Sequence, residues 1–277
     1  MTALKRLLLI GGSVMALLAS GCGSEDGSAP QSSETPVTEA PKVTTTAEAV
    51  TTVSNTTQHP VKEAAEYGKV IALTFDDGPN TTCTPKVLDL LEQYGARASF
   101  FVIGDNINES SAEVMKRAYD MGCEINNHSR THSYMNKMTA EEIKAEIKYT
   151  SDLVEKYTGE PTRFFRPPYI AVNQTMFDSI DLPFINGKGC NDWEDKVSAE
   201  QRVEKVLAQA EDGAIILLHD QAANFQTVQA LETLIPELQK QGYELVTLTE
   251  LFYAKGIEPK SDSTPIIYSN CMQETNW

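Results

Sequence analysis

From Lys69 onward, short unbroken apolar runs alternate with longer segments whose apolar residues recur every three or four positions. Residues 70–75 form one such run and predict a buried strand. Thr84-Pro85 then opens a helix, with proline suited to its first turn. Val87, Leu88, Leu91 and Tyr94 supply its apolar face, and Gly95 ends it. Residues 98–102 predict a second strand. Ser110 with Glu113 predicts a capping box for the next helix, which Gly122 stops, and Glu124-Ile125-Asn126 leads a third strand toward His128. Thr139 with Glu142 predicts another box, followed by Ile143, Ile147, Thr150, Val154 and Tyr157 at helical spacing. Further strands are expected at 163–166, 182–185, 214–218 and 244–247, with helices near 199–210 and 227–241.

Apolar strands alternating with amphipathic helices argue for an α/β fold, a parallel sheet covered by helices. About seven such units fit between residues 69 and 253, which predicts a barrel-like arrangement. The tail from 259 to 277 shows no period and receives no assignment.

The first 66 residues have a different texture. Lys5 and Arg6 precede an apolar run over 7–18 that is short for a membrane span and has the layout of an export signal. It ends in Leu18-Ala19-Ser20-Gly21-Cys22, which resembles the lipobox of bacterial lipoproteins, with Ala19 where that pattern prefers leucine. The resemblance implies a signal over 1–22, lipidation of Cys22, and a protein exported to the outer face of a bacterial membrane, or secreted. Residues 23–66 are rich in Ser, Thr, Glu, Ala and Pro and predict a disordered stalk, which takes His59 out of the chemistry. The catalytic domain is then expected over 67–258.

Composition narrows the picture further. A net charge of −16 disfavours nucleic acid as a partner, because phosphates need a basic face. Outside a cell Cys83, Cys123, Cys190 and Cys271 could form disulfides or remain buried thiols, and their spacing contains no C-x-x-C zinc signature.

Candidate chemistry gathers at one kind of position. Asp76-Asp77-Gly78-Pro79, His128, Arg166-Pro167-Pro168-Tyr169, Asp192-Trp193 and His219 all follow a predicted strand. In parallel α/β folds the carboxyl ends of the strands form the ligand site. Asp76 and Asp77 are adjacent, so a regular strand would send them to opposite faces; Gly78-Pro79 breaks the strand there. His128 and His132 have the i, i+4 spacing that offers two imidazoles to one metal. Singly, Asp-Asp-Gly reads as a turn and His219 as a structural histidine; together the clusters mark one site.

Taken in order, Leu73-Thr74-Phe75-Asp76-Asp77-Gly78-Pro79, Asn127-His128-Ser129-Arg130-Thr131-His132, Arg166-Pro167-Pro168-Tyr169, Asn191-Asp192-Trp193 and Leu217-Leu218-His219-Asp220 resemble the five motifs of the polysaccharide deacetylases. This is the NodB-homology group, carbohydrate esterase family four. The resemblance implies a distorted (β/α) barrel of about seven parallel strands and one divalent metal ion, zinc or cobalt. It implies Asp77, His128 and His132 as metal ligands, Asp76 as general base held by Arg166, and the Tyr169 N–H as an oxyanion donor. His219 would be the general acid tuned by Asp192, with Trp193 and Leu217 lining an acetyl pocket.

Gly189 stands where many members acting on peptidoglycan or chitin carry an acidic residue, a change the acetylxylan esterases of the family tolerate. The implied activity is removal of acetyl groups from a polysaccharide. O-acetylated xylan is placed ahead of N-acetylglucosamine in peptidoglycan or chitin-like polymers. An inactive carbohydrate-binding domain on the same scaffold is disfavoured by the presence of Asp76, Arg166 and His219. A two-metal phosphoesterase is disfavoured because only three histidines lie outside the stalk.

Overall fold

The computed structural model describes residues 62–276. Cys22, the signal and nearly all of the proposed stalk lie outside them. Among the described residues no helix is long and apolar enough to cross a membrane.

The first apolar run becomes β1 (Lys69–Gly78), and the strands β2 (Ser99–Val102), β3 (Glu124–Asn127), β6 (Ile215–His219) and β5 (Lys188–Gly189) extend from it in the order β3-β2-β1-β6-β5. The pairings along this path are parallel, and β7 (Tyr243–Leu245) joins the start of β1, also in parallel. A second sheet runs β4 (Phe184–Ile185), β8 (Ile266–Asn270), β9 (Gln273–Asn276). Single-residue bridges join the two sheets. Phe165 pairs with Asn127 on one side and Phe184 on the other, and Ala214 pairs with Asn270. The ring of strands therefore closes as the distorted barrel expected from the sequence.

Strand alternation sorts the core. On β1, Ile71, Leu73 and Phe75 face the helices and pack with Val87, Leu88 and Leu91 of α1 (Thr84–Gln93) and Leu231, Leu234 and Leu238 of α6 (Phe225–Lys240). Val70 and Ala72 face a different cluster with Phe101, Ile185, Ile215 and Tyr268. Thr74 and Asp76 continue this second face, which carries Asp76 into the barrel mouth.

Several local expectations are corrected. The strand expected at 163–166 is reduced to the bridging residue Phe165. The helix α2 (Glu109–Asp120) is capped two residues earlier than Ser110 and Glu113 suggest. Asn108 accepts from the N–H groups of Ser110 and Ser111, and Ser111 closes the box. At α3 (Ala140–Thr158) the Thr139–Glu142 box is present as expected. The unassigned tail forms the β8–β9 hairpin, with Tyr268 and Cys271 buried. Cys83, Cys123, Cys190 and Cys271 are all free and buried.

Candidate active site

The adjacency problem at Asp76 and Asp77 is solved by a bulge. The β1–β2 register shifts between Asp76 and Gly78, and Asp77 takes the left-handed region at φ 75°. An extra residue in that conformation turns the Asp77 carboxylate toward the same mouth as Asp76. Gly78 is needed for a second reason, since a Cβ there would sit 2.7 Å from a carboxylate oxygen of Asp220. That buried carboxyl is pushed up to about 7 by burial and by the charges of Asp77 and Asp76.

His128 and His132 lie on a tight loop after β3. Asn127 accepts from the Ser129 N–H at 2.8 Å and anchors the loop to α3 by donating to the Ile147 carbonyl, also at 2.8 Å. The Ser129 hydroxyl accepts from the His132 N–H at 3.0 Å, and both Ser129 and His132 have positive φ. The ring Nδ1 of His128 lies 2.7 Å from the Arg166 carbonyl, which holds that nitrogen as a donor and leaves Nε2 facing the carboxylates.

Oδ1 of Asp77 stands 3.5 Å from Nε2 of His128 and 3.5 Å from Nε2 of His132. It is buried and has no hydrogen-bond partner. One ligand atom from each of these residues falls within 4.8 Å of the others. Two ligands about 2.1 Å from an ion at a tetrahedral angle are about 3.4 Å apart, so the three side chains fit a divalent metal of the zinc type. An orphaned carboxylate oxygen facing two imidazoles is what a missing cation would explain. Burial pushes the Asp77 carboxyl up, but the facing His128 imidazole, with the charges of His219 and His132, brings it down to about 2. Burial works against protonation of His128 but the Asp76 and Asp77 carboxylates raise it, whereas burial and the neighbouring His128 lower His132.

Asp76 has two different oxygens. Oδ1 accepts from Nη1 of the wholly buried Arg166 at 2.6 Å, and Oδ2 is 3.6 Å from Nε2 of His128. Arg166 also donates to the Thr74 hydroxyl at 2.8 Å and lies 4.1 Å from the Phe101 ring centroid.

Across the cleft, Asp192 accepts from the His219 backbone N–H at 2.7 Å and faces the ring Nδ1 at 2.8 Å. Burial alone would depress His219, but the hydrogen bond and charge of Asp192, with Asp76 and Asp77 beyond, raise it to about 9.

Asp76, Asp77, His128, His132, Tyr169, Asp192, Trp193, Leu217 and His219 all line one cleft of about 620 Å³, with Arg166 buried against Asp76. Every site residue expected from the five motifs is thus brought together. Trp193 and Tyr169 are 55% and 54% exposed on its rim. Tyr169 has φ 58°, and its ring packs against His132 on one side and stacks on Tyr134 at 4.1 Å between centroids. The sequence reading missed Tyr134, which looks like an ordinary loop residue until the stack is seen. It also missed Thr74, Arg202, Asn224 and Thr227; the last three support Asp192 and His219.

Comparison with known proteins places this barrel and site in a family. The polysaccharide deacetylase family profile matches residues 63–181. A bifunctional xylanase/deacetylase of Pseudobutyrivibrio xylanivorans is 52% identical over 191 residues, covering 69% of this chain and 32% of that protein. A peptidoglycan-N-acetylglucosamine deacetylase of Bacillus cereus is 38% identical over 200 residues, covering 70% of this chain and 92% of its own length. The solved structure of a family 4 acetyl xylan esterase from Clostridium thermocellum, in complex with a cobalt ion, superposes with a TM-score of 0.71. It is 42% identical and covers 73% of this chain and 98% of that one.

The chain belongs to the polysaccharide deacetylase family, carbohydrate esterase family four. Its resemblances include that family's acetylxylan esterase branch, as the fourth motif implied. The chain spans about a third of the length of the xylanase/deacetylase it matches.

Proposed function

We propose that this protein is a metal-dependent hydrolase that removes acetyl groups from a polysaccharide, with O-acetylated xylan as substrate. The observation that carries the reading is the partnerless Oδ1 of Asp77 facing two imidazoles, beside an aspartate clamped by a buried arginine.

Asp77, His128 and His132 would hold the ion, zinc or cobalt. Held by these residues, the ion would supply Lewis-acid polarisation of an acetyl carbonyl and lower the pKa of an attacking water toward about 7. Asp76 is the base. Arg166 occupies Oδ1 and fixes the carboxylate, so Oδ2 is the oxygen available to take the proton from water. The backbone N–H of Tyr169, in a left-handed turn at φ 58°, would donate to the developing oxyanion, a contact worth about 2.7–4 kcal/mol in comparable sites. His219, oriented by Asp192 through Nδ1, delivers a proton from Nε2 to the departing sugar oxygen. Trp193 and Leu217 line the space for the acetyl methyl and exclude water around it.

Xylan is favoured because the xylanase/deacetylase and acetyl xylan esterase relatives carry that chemistry in their names. The second reading, N-deacetylation of N-acetylglucosamine polymers, is supported by the Bacillus cereus relative. The N-terminal pattern ending in Cys22 supports an exported, lipid-tethered protein acting at the outer membrane face. The test is acetate release measured side by side on acetylxylan, chitooligosaccharide and peptidoglycan. Release fastest from acetylxylan supports the first reading; release from the aminosugar polymers alone replaces it with the second.

A further inference from the structure

Behind the Asp192–His219 pair lies a buried arginine that the chemistry described so far does not use. Arg202 sits on α5 (Ala199–Gln209) and is 1% exposed. Its Nη1 donates to Oδ1 of Asn224 at 2.6 Å and to the Thr227 hydroxyl at 2.8 Å, Nε to the Val197 carbonyl at 2.9 Å, and Nη2 to the Glu194 carbonyl at 3.2 Å. Each of these acceptors is a neutral oxygen. Asn224 is the N-cap residue of α6, yet its side chain makes no cap bond. Its Nδ2 is directed to the His219 carbonyl at 2.9 Å and the Thr227 hydroxyl at 3.0 Å. Thr227 in turn donates to Oδ2 of Asp192 at 2.8 Å.

These bonds have a forced direction. Guanidinium has donors only, so it fixes Oδ1 of Asn224 on its own side and the amide nitrogen on the other. The Thr227 hydroxyl then receives two inbound donors, from Arg202 and Asn224. Its own proton must leave toward Asp192. Oδ2 of Asp192 also receives the His219 backbone N–H, so both of its bonds are inbound. A carboxylate held as an acceptor keeps the hydrogen on Nδ1 of His219 and leaves Nε2 as the nitrogen that exchanges protons at the cleft.

We propose that Arg202, Asn224 and Thr227 are positioning residues for His219, a one-way chain of hydrogen bonds that fixes Asp192 as an acceptor and His219 as a donor from Nε2. This rests on the reading of His219 as the acid. Helices α5 and α6 thereby have a role in the chemistry besides covering the sheet.

Leaving-group chemistry tests it, because a departing sugar alkoxide needs the proton whereas nitrophenolate does not. Thr227→Val keeps the volume and removes the hydroxyl. Its kcat should fall about tenfold or more on acetylated xylo-oligosaccharide, part of the roughly 10²–10⁴-fold that an acid supplies. On 4-nitrophenyl acetate it should keep the wild-type rate within about threefold, the protonation being dispensable there. Thr227→Ser should keep the wild-type rate on both substrates, and Arg202→Lys should give a partial loss confined to the sugar ester.

A Thr227→Val enzyme that loses both activities equally, or neither, overturns the proposal; the equal loss is what a merely structural role would give. His219→Ala separates the two levels. If it shows the leaving-group dependence and Thr227→Val does not, the relay alone is wrong. If His219→Ala shows none, the acid assignment and the relay fall together.

Discussion

Asp76 and Arg166 meet at 2.6 Å with the arginine side chain wholly shielded from water and the aspartate 4% exposed. A buried pair of this kind is sensitive to loss of one partner, because the other charge is left without compensation. Arg166→Ala should destabilise the protein by about 3–5 kcal/mol, read as a lowered unfolding midpoint in denaturant. Asp76→Asn preserves shape and the hydrogen bond but cannot accept a proton. The lost charge opposite Arg166 should lower its stability, but the folded variant should take up metal as the wild type does, with turnover reduced by at least about 10²-fold. Undiminished acetate release by Asp76→Asn would remove Asp76 as the base.

Removal of the ion should abolish turnover while the barrel persists. Asp77, His128 and His132 belong to the mouth, whereas the core clusters are apolar. Chelator treatment followed by dialysis should leave circular dichroism unchanged and acetate release near zero, with recovery on adding zinc or cobalt. His132→Ala should weaken metal binding with little loss of stability, since its side chain is 25% exposed against 3% for His128.

The proposed acid role gives a pH dependence with a definite sign. As the acid, His219 would have to be protonated to act, so turnover should fall as pH rises through its pKa. Asp192 and the carboxylates beyond it raise that value from 6.5 to about 9 against the effect of burial. A bound dication repels the proton and lowers it, so the basic limb of the rate profile belongs below about 9. Asp192→Asn removes the stabilising charge and should move the limb to lower pH by at least about one unit. In the metal-free protein the same histidine contributes stability that is complete below 6.5 and is lost as pH rises to about 9. Denaturant midpoints measured across that window check the sign.

At the N-terminus, Cys22→Ser should move the protein from the membrane fraction to the supernatant when expressed in a host with lipoprotein export. Persistent membrane association of the variant would count against lipidation at Cys22.

The alternating apolar runs made the barrel legible, because the central strands β1, β2 and β6 are nearly continuous hydrophobic segments. What stayed hidden depends on contacts distant in sequence. Phe165 stands as a single bridging residue, and β8 joins the barrel by pairing with Phe184 and Ile185, some eighty residues earlier. At the site, the five motifs were legible because each follows a strand. The left-handed turn at Asp77 was not, since that conformation is unfavourable for aspartate locally and is imposed by the surrounding fold. Arg202 and Thr227 sit inside helical segments 17 and 8 residues from His219, where periodicity marks them only as helix positions.

The most direct test of the central claim is anomalous diffraction at the cobalt edge from crystals of the cobalt-loaded protein. The account predicts one ion within about 2.2 Å of Nε2 of His128, Nε2 of His132 and a carboxylate oxygen of Asp77, with Asp76 beside it and still paired to Arg166. A cobalt peak elsewhere, or one bound by Asp76 in place of Asp77, would contradict it.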